Sequence, residues 1–222
     1  MRVMTYNVKG LDIGVDALVE VIGDAAPDVL ALQEPPRGRQ GRRRLDDLAR
    51  RTGMRVVVGP GPSRTTTVLV GVGVPVDEAR GQALPWRIGQ VPRGYAVVRV
   101  GGVTVVDLHL PLGSRERLAH LDRVLHDVLA GPGPYVVLGD LNEEPGGPVW
   151  ARLAAGLVDA VASPAPTFTA RRPRRRIDAV MVSPELRVTG SSIRRDDVTR
   201  RASDHLPIVV DLDVDIDVDV AG

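Results

Sequence analysis

The chain has 222 residues, 29 basic and 28 acidic side chains, 43% hydrophobic residues and no cysteine. This apolar fraction is enough for a core, so global disorder is excluded, and the length fits one large domain over residues 1–222. The lack of Cys excludes disulfides, thiolate nucleophiles and Cys-ligated zinc, and no apolar run reaches the roughly 18 residues of a membrane span.

The first residues, MRVMTYNV, lack the charged and apolar regions of a signal peptide, so a cytoplasmic protein is the expectation. Val-rich runs bounded by Gly and Pro predict strands at 2–7, 28–33, 55–58, 65–74, 95–100, 103–110, 135–138, 178–182 and 208–214. Helical spacing interrupts them. Val15, Leu18, Val19 and Ile22 share one face, and Leu45, Leu48 and Ala49 share another before Gly53, a C′ glycine. The longest pattern starts near Ser114, carries Leu118, Leu121, Leu125, Val128 and Leu129, and stops at Gly131-Pro132. Pro148 is placed as N1 of a further helix with Val149, Trp150 and Leu153 inward. GPGPSR at 59–64 and RRPRRR at 171–176 read as loops. The acidic end 211–222 alternates Asp with Val, Leu or Ile, which fits a half-buried strand continuing from Ile208 or, more simply, an edge strand whose Asp face blocks edge-to-edge pairing. Strands with mixed short and helical connections make an α/β protein.

The near-zero net charge hides an uneven distribution. Residues 37–51 hold seven Arg, 171–176 five and 194–201 four, whereas Asp211, Asp213, Asp215, Asp217 and Asp219 close the chain. Lys9 is the one lysine, a bias that reflects a GC-rich coding sequence, so the position of each Arg carries more information than the count.

Polar residues gather where these strands end. Asn7 closes TYNV, Glu34 follows LALQ, and His109 lies in VVDLHLPLG. Asp140 and Asn142 stand in VVLGDLNEEP, Asp178 in RRIDAVMVS, and Asp204 with His205 in SDHLPIVV. Singly each is a common turn former or cap. Together they bring four carboxylates to the strand ends, a set that needs raised pKa values or a bound cation if it shares one rim.

These six blocks in this order resemble the endonuclease/exonuclease/phosphatase superfamily, the deoxyribonuclease I-like metal-dependent phosphoesterases, from Asn7 to His205. The resemblance implies a four-layer α/β/β/α sandwich of two mixed β-sheets with outer helices and the site at one end. It implies Glu34 as the main metal ligand, with Asn7 and Asp204 as further contacts, and Mg²⁺ or Mn²⁺ as the ion. It implies Asp140 as activator of the attacking water and Asn142 as a donor to nucleophile or phosphoryl oxygen. His205 would contact the phosphate, held by Asp178, and His109 would be a second imidazole near the phosphate or leaving group. Water would then attack phosphorus in line, with no covalent intermediate.

The substrate is left open between nucleic acid and a small-molecule or lipid-headgroup phosphate. Arg37 lies near Glu34, Arg175 and Arg176 near Asp178, and Arg201 near Asp204, so an Arg-lined rim for backbone phosphates is expected. Abasic-site endonucleases usually carry an aromatic where this chain has Arg175, and Phe168 is the compensating candidate. No membrane insertion is expected, and a monomer is.

Overall fold

The computed structural model describes residues 1–86, 88–131, 133–161 and 165–215. The first half runs β1 (Arg2–Asn7), a 3-10 turn (Lys9–Leu11), α1 (Val15–Ala25), β2 (Val29–Gln33), α2 (Gly38–Arg51), β3 (Met54–Val58), α3 (Pro60–Ser63), β4 (Thr66–Gly71) and β5 (Glu78–Ala83). The second runs β6 (Gly94–Val100), β7 (Val103–His109), α4 (Ser114–Leu129), β8 (Tyr135–Asp140) and α5 (Pro148–Ala154). The chain ends through β9 (Val158–Asp159), β10 (Asp178–Val182), β11 (Val188–Ile193), α6 (Asp197–Ala202) and β12 (Ile208–Leu212).

Among the described residues two six-stranded sheets form, in the orders β11-β12-β1-β2-β4-β3 and β5-β6-β7-β8-β10-β9. Both are mixed, because β1–β2 and β7–β8 pair in parallel and their neighbours antiparallel. Three apolar clusters define the layers. Val3, Ala31, Val68, Val105, Leu138, Val180 and Val210 pack between the sheets. Leu18, Ile22, Leu45 and Leu48 of α1 and α2 cover the outer face of the first sheet against Met4, Leu30 and Leu69. Leu121, Val124, Trp150 and Leu153 of α4 and α5 cover the second against Val97, Val106 and Val137. The fold is thus the four-layer α/β/β/α sandwich, each fully buried Val or Leu contributing about 1.5–3 kcal/mol.

Residues two apart on a strand share a face, and this carries the inner face from core to site. On β1 it runs Val3, Thr5, Asn7; on β2 Val29, Ala31, Gln33; on β7 Val105, Asp107, His109; on β8 Val136, Leu138, Asp140. The apolar layer gives way to a buried polar one, in which Gln33 Nε2 donates to Thr5 Oγ1 (3.0 Å) and Asp107 Oδ1 (2.6 Å) across the sheets. Above it lie the strand-end residues.

The periodic helices appear where expected, with Pro148 at N1 of α5 and Gly53 at φ 67° just past α2. The run at 65–74 is shorter as a strand, ending at Gly71 because Val74 N turns back to the Gly71 carbonyl (3.1 Å). Residues 60–63 form the short α3 within an expected loop. Of the acidic terminal segment, Asp211 and Leu212 belong to β12, which is inserted between β11 and β1 and so is not at an edge. Asp211 pairs with Arg2 at 2.7 Å, and the alternation beyond residue 215 lies outside the described residues. Since Arg2 and Asn7 end the same strand, Asp211 stands about 17 Å from the site at ~3.3 Å per residue. No helix among the described residues is long and apolar enough to cross a membrane.

Candidate active site

Strand register delivers the polar residues to one end of the sandwich. Asn7 lies opposite Gln33, with Glu34 one residue beyond, and Asp140 lies between His109 and Asp178 on the neighbouring strands. His205 enters from the loop before β12. Glu34 holds a left-handed backbone (φ 53°) that is pinned on both sides: its N–H donates to the Thr65 carbonyl (3.0 Å) and its carbonyl accepts from Gly10 N (2.7 Å). Asn142 (φ 52°) is held likewise, its N–H donating to Asp140 Oδ1 and its Nδ2 to the Leu110 carbonyl, both 2.9 Å. The glycine of GDLN is required by contact, since a Cβ on Gly139 would lie 2.0 Å from the Leu108 carbonyl oxygen.

Asp140 is the hub. Its Oδ2 accepts from Asn7 Nδ2 (3.0 Å) and lies 3.6 Å from His109 Nε2 and 3.8 Å from His205 Nε2. Burial and then the charge of Asp178 raise its pKa to about 7, against the opposing pull of His205, the Asn142 N–H and the Asn7 amide. His205 Nδ1 donates to the Asp178 carboxylate, 3.1 and 2.9 Å from Oδ1 and Oδ2. Burial works against the imidazolium, but the charge and hydrogen bond of Asp178, with Asp140 and Asp204, outweigh it and raise His205 to about 9. His109 moves the opposite way: burial, then the charges of Arg93 and His205, push it well below the ordinary value. The half-buried Phe168 ring lies against His205, centroids 4.8 Å apart.

The remaining candidates divide. Asp204 is at the rim, its Oδ2 paired with Lys9 Nζ at 2.5 Å. Arg37 is exposed and lines a cleft of about 570 Å³ beside Glu34, His109, Lys9, Arg44 and Arg93. Arg37 also borders a second cleft lined by Arg39, Arg42 and Arg64. Arg175 is half-exposed and paired with Glu144 (2.7 Å), and exposed Arg201 donates to the Asp197 carbonyl (3.2 Å). Arg176 does not join a rim. It is 6% exposed, grips both oxygens of Asp159 at 2.7 Å and stacks 4.9 Å over the Trp150 ring, so its guanidinium is spent inside the fold.

Sequence reasoning missed three supports. Arg93 NH1 meets His109 Nδ1 at 2.7 Å. Buried Arg117 donates to the Asn142 carbonyl and to Glu143, whose other oxygen accepts from Val149 N, bracing the loop after β8 onto α4 and α5. Gln33 and Asp107 form the polar layer beneath. Only the LQE context and the Glu following GDLN hinted at any of these; Arg93, one Arg among many before a strand, carried no spacing signal.

The donor set fits a hard divalent cation. Asn7 Nδ2 bridges Glu34 Oε1 (3.4 Å) and Asp140 Oδ2 (3.0 Å), so two carboxylates from different sheets converge on one point. Ligand atoms of Asp140, Asp178 and His205 lie within 4.8 Å of one another. The carboxylate oxygens of Glu34, Asp140 and Asp178, with Asp140 lifted by burial and then by the charge of Asp178, suit an ion such as Mg²⁺.

Residues 4–205 match the family model described as Endonuclease/Exonuclease/phosphatase family. No curated protein matches the chain. Among solved structures, the Bacteroides thetaiotaomicron mannosyl-6-phosphatase superposes with a TM-score of 0.77 at 17% identity, over 96% of this chain and 99% of that one. An AP endonuclease from Archaeoglobus fulgidus gives 0.77 at 19%, over 96% and 100%. A 3' phosphatase from Neisseria, bound to a product DNA hairpin, gives 0.75 at 22%, over 96% and 99%.

Proposed function

Because the chain belongs to the endonuclease/exonuclease/phosphatase family and is therefore a phosphoester hydrolase, we propose that it is a metal-dependent phosphodiesterase acting on the nucleic-acid backbone. The observation that carries the choice of polymer is the basic track. Arg37 lines the cleft beside Glu34 together with Lys9 and Arg44, which are paired with Asp204 and Asp12, and continues into the cleft of Arg39, Arg42 and Arg64. A row of cations leading away from a catalytic edge suits successive backbone phosphates, irrespective of sequence.

In this reading Glu34, the Asn7 amide oxygen and Asp204, now paired with Lys9, would hold Mg²⁺ or Mn²⁺. When bound, the ion supplies Lewis acidity and neutralises the crowded carboxylates. Asp140 takes the proton of the attacking water, for which a pKa near 7 is well placed. Asn142 spends one amide hydrogen on Leu110 and has the other for the nucleophile or a phosphoryl oxygen. His205, kept cationic by Asp178, offsets charge growing on the phosphoryl group, and His109 adds a second donor. Arg37 contacts the flanking phosphate, and Arg175 and Arg201 extend the contact on the Asp178 side.

A second reading is a small-molecule phosphatase. The cleft volume of about 570 Å³ is that of a small-ligand pocket, and the mannosyl-6-phosphatase shares the fold. Supercoiled plasmid, abasic duplex, bis(p-nitrophenyl) phosphate, and sugar and inositol phosphates, each with and without Mg²⁺, separate the two. Metal-dependent diester cleavage that weakens steeply with salt is the expected result. Turnover of monoesters alone would overturn the nuclease reading in favour of the second.

A further inference from the structure

His109 Nδ1 faces a donor that cannot be switched off. A guanidinium carries five N–H groups, no acceptor, and stays protonated in proteins. Arg93 NH1 lies 2.7 Å from Nδ1, and both side chains are buried, at 8% and 2% exposure. A proton on Nδ1 would set two N–H groups head to head at that distance, so Nδ1 must accept. The neutral ring then carries its hydrogen on Nε2, which points toward Asp140 Oδ2 (3.6 Å) and Glu34 Oε1 (3.8 Å), the oxygens around which the site is built.

Arg93 is itself fixed. Its carbonyl accepts from Leu84 N (2.9 Å), and the next residue must be glycine, since a Cβ on Gly94 would come within 2.6 Å of the Ser63 and Gln82 carbonyl oxygens. The start of β6 is thereby pressed against β5 and α3, with Arg93 directed to the end of β7. Burial lowers the Arg93 pKa from its ordinary value, and the charges of Asp140 and Glu34 hold against it, leaving the cation in place. Burial, then the charges of Arg93 and His205 and more weakly that of Arg37, act against a charged ring, while the Thr65 backbone favours a ring N–H.

We propose that Arg93 is a positioning residue that locks His109 as the Nε2–H tautomer, making it a fixed hydrogen-bond donor to a phosphoryl or leaving-group oxygen and not a proton acceptor. The tautomer follows from the contact alone; the catalytic use rests on the function proposed above.

The test is ¹⁵N NMR of protein labelled on its histidine rings and kept free of metal, with His109→Gln identifying the His109 signals. An unprotonated Nδ1 and a protonated Nε2 in the wild type are expected, and Arg93→Met should admit the Nδ1–H form. A wild-type ring protonated on Nδ1, or a pattern unchanged by Arg93→Met, overturns the proposal, and the wild-type spectrum decides even if the variant does not fold. With Mg²⁺ and bis(p-nitrophenyl) phosphate, Arg93→Met should lower kcat about ten-fold or more with little change in KM. A reduced Tm with unaltered kcat would make Arg93 merely structural. Absence of diester turnover in the wild type would defeat the proposed function while leaving the tautomer result intact.

Discussion

Two histidines flank the same carboxylate and are tuned in opposite directions. His109 at the end of β7 and His205 in the loop before β12 are both buried, with Nε2 at 3.6 and 3.8 Å from Asp140 Oδ2. Behind Nδ1 stands Arg93 in one and Asp178 in the other. Burial disfavours the charged ring in both, yet the carboxylates around His205 raise it to about 9, whereas Arg93 adds to the depression of His109. A single residue behind the ring thus separates a cationic donor from a neutral one.

The largest effects should come from the hub and its cationic arm. Asp140→Asn or His205→Ala is expected to lower turnover about 10²- to 10⁴-fold with an unchanged circular dichroism spectrum. Near-wild-type activity in either variant would remove the assignment of both. Asp178→Asn tests the contrast more finely, because it deletes the charge behind His205 and leaves a similar shape. A loss of about 10- to 100-fold in kcat is expected. If turnover is retained, the opposite tuning of the two rings has no catalytic meaning.

Arginines divide in the same way, according to what already occupies the guanidinium. Arg39 and Arg42 line a cleft, whereas Arg176 is held by Asp159 and Trp150. Replacing Arg39 or Arg42 by Ala should weaken DNA binding uniformly across sequences and reduce the slope of log K against log salt by about one per side chain, measured by fluorescence anisotropy. Arg176→Ala should instead cost about 1–3 kcal/mol in urea denaturation, with the binding slope untouched. An Arg176 variant with a changed salt slope would return that residue to the rim.

How much was legible in the sequence follows the same physics. The residues of the hub and the cationic arm stand at ends of apolar strands, so a short motif displays them. Central strands, buried on both faces, display themselves as Val-rich runs. The edge strands β5 and β11 do not: EARGQA and VTGSSI are half-exposed and carry no apolar alternation, so neither was expected. The two-residue β9 at the other end was too short to show. At the start of the acidic pattern the edge expectation fails for β12, because an Asp on the strand face can equally be paired across a sheet, as Asp211 is with Arg2. Arg93 was hidden because its significance lies in a contact across 16 residues, and Arg176 misled because proximity in sequence to Asp178 says nothing about which way a side chain turns.

The smallest effect expected concerns Asp107, which shares the inner face of β7 with His109 but meets neither metal ligand nor substrate. It is fully buried, and burial raises its pKa well above the ordinary value, against the hydrogen bonds from Gln33 Nε2 and Thr67 N. A carboxyl raised in the folded state binds its proton more tightly there than in the unfolded chain. Its contribution to stability is therefore full below about pH 4, the unfolded value, and declines as pH rises toward the folded value. Asp107→Asn removes that decline and keeps an oxygen for Gln33, at the expense of the 3.3 Å contact with Thr67 N. The variant should gain on the wild type between pH 5 and pH 8, each 1 kcal/mol appearing as about 2–4 °C in Tm for a chain of this size. Parallel Tm profiles would mean that Asp107 is ionised inside the fold across that range. The polar layer beneath the site would then carry a charge of its own.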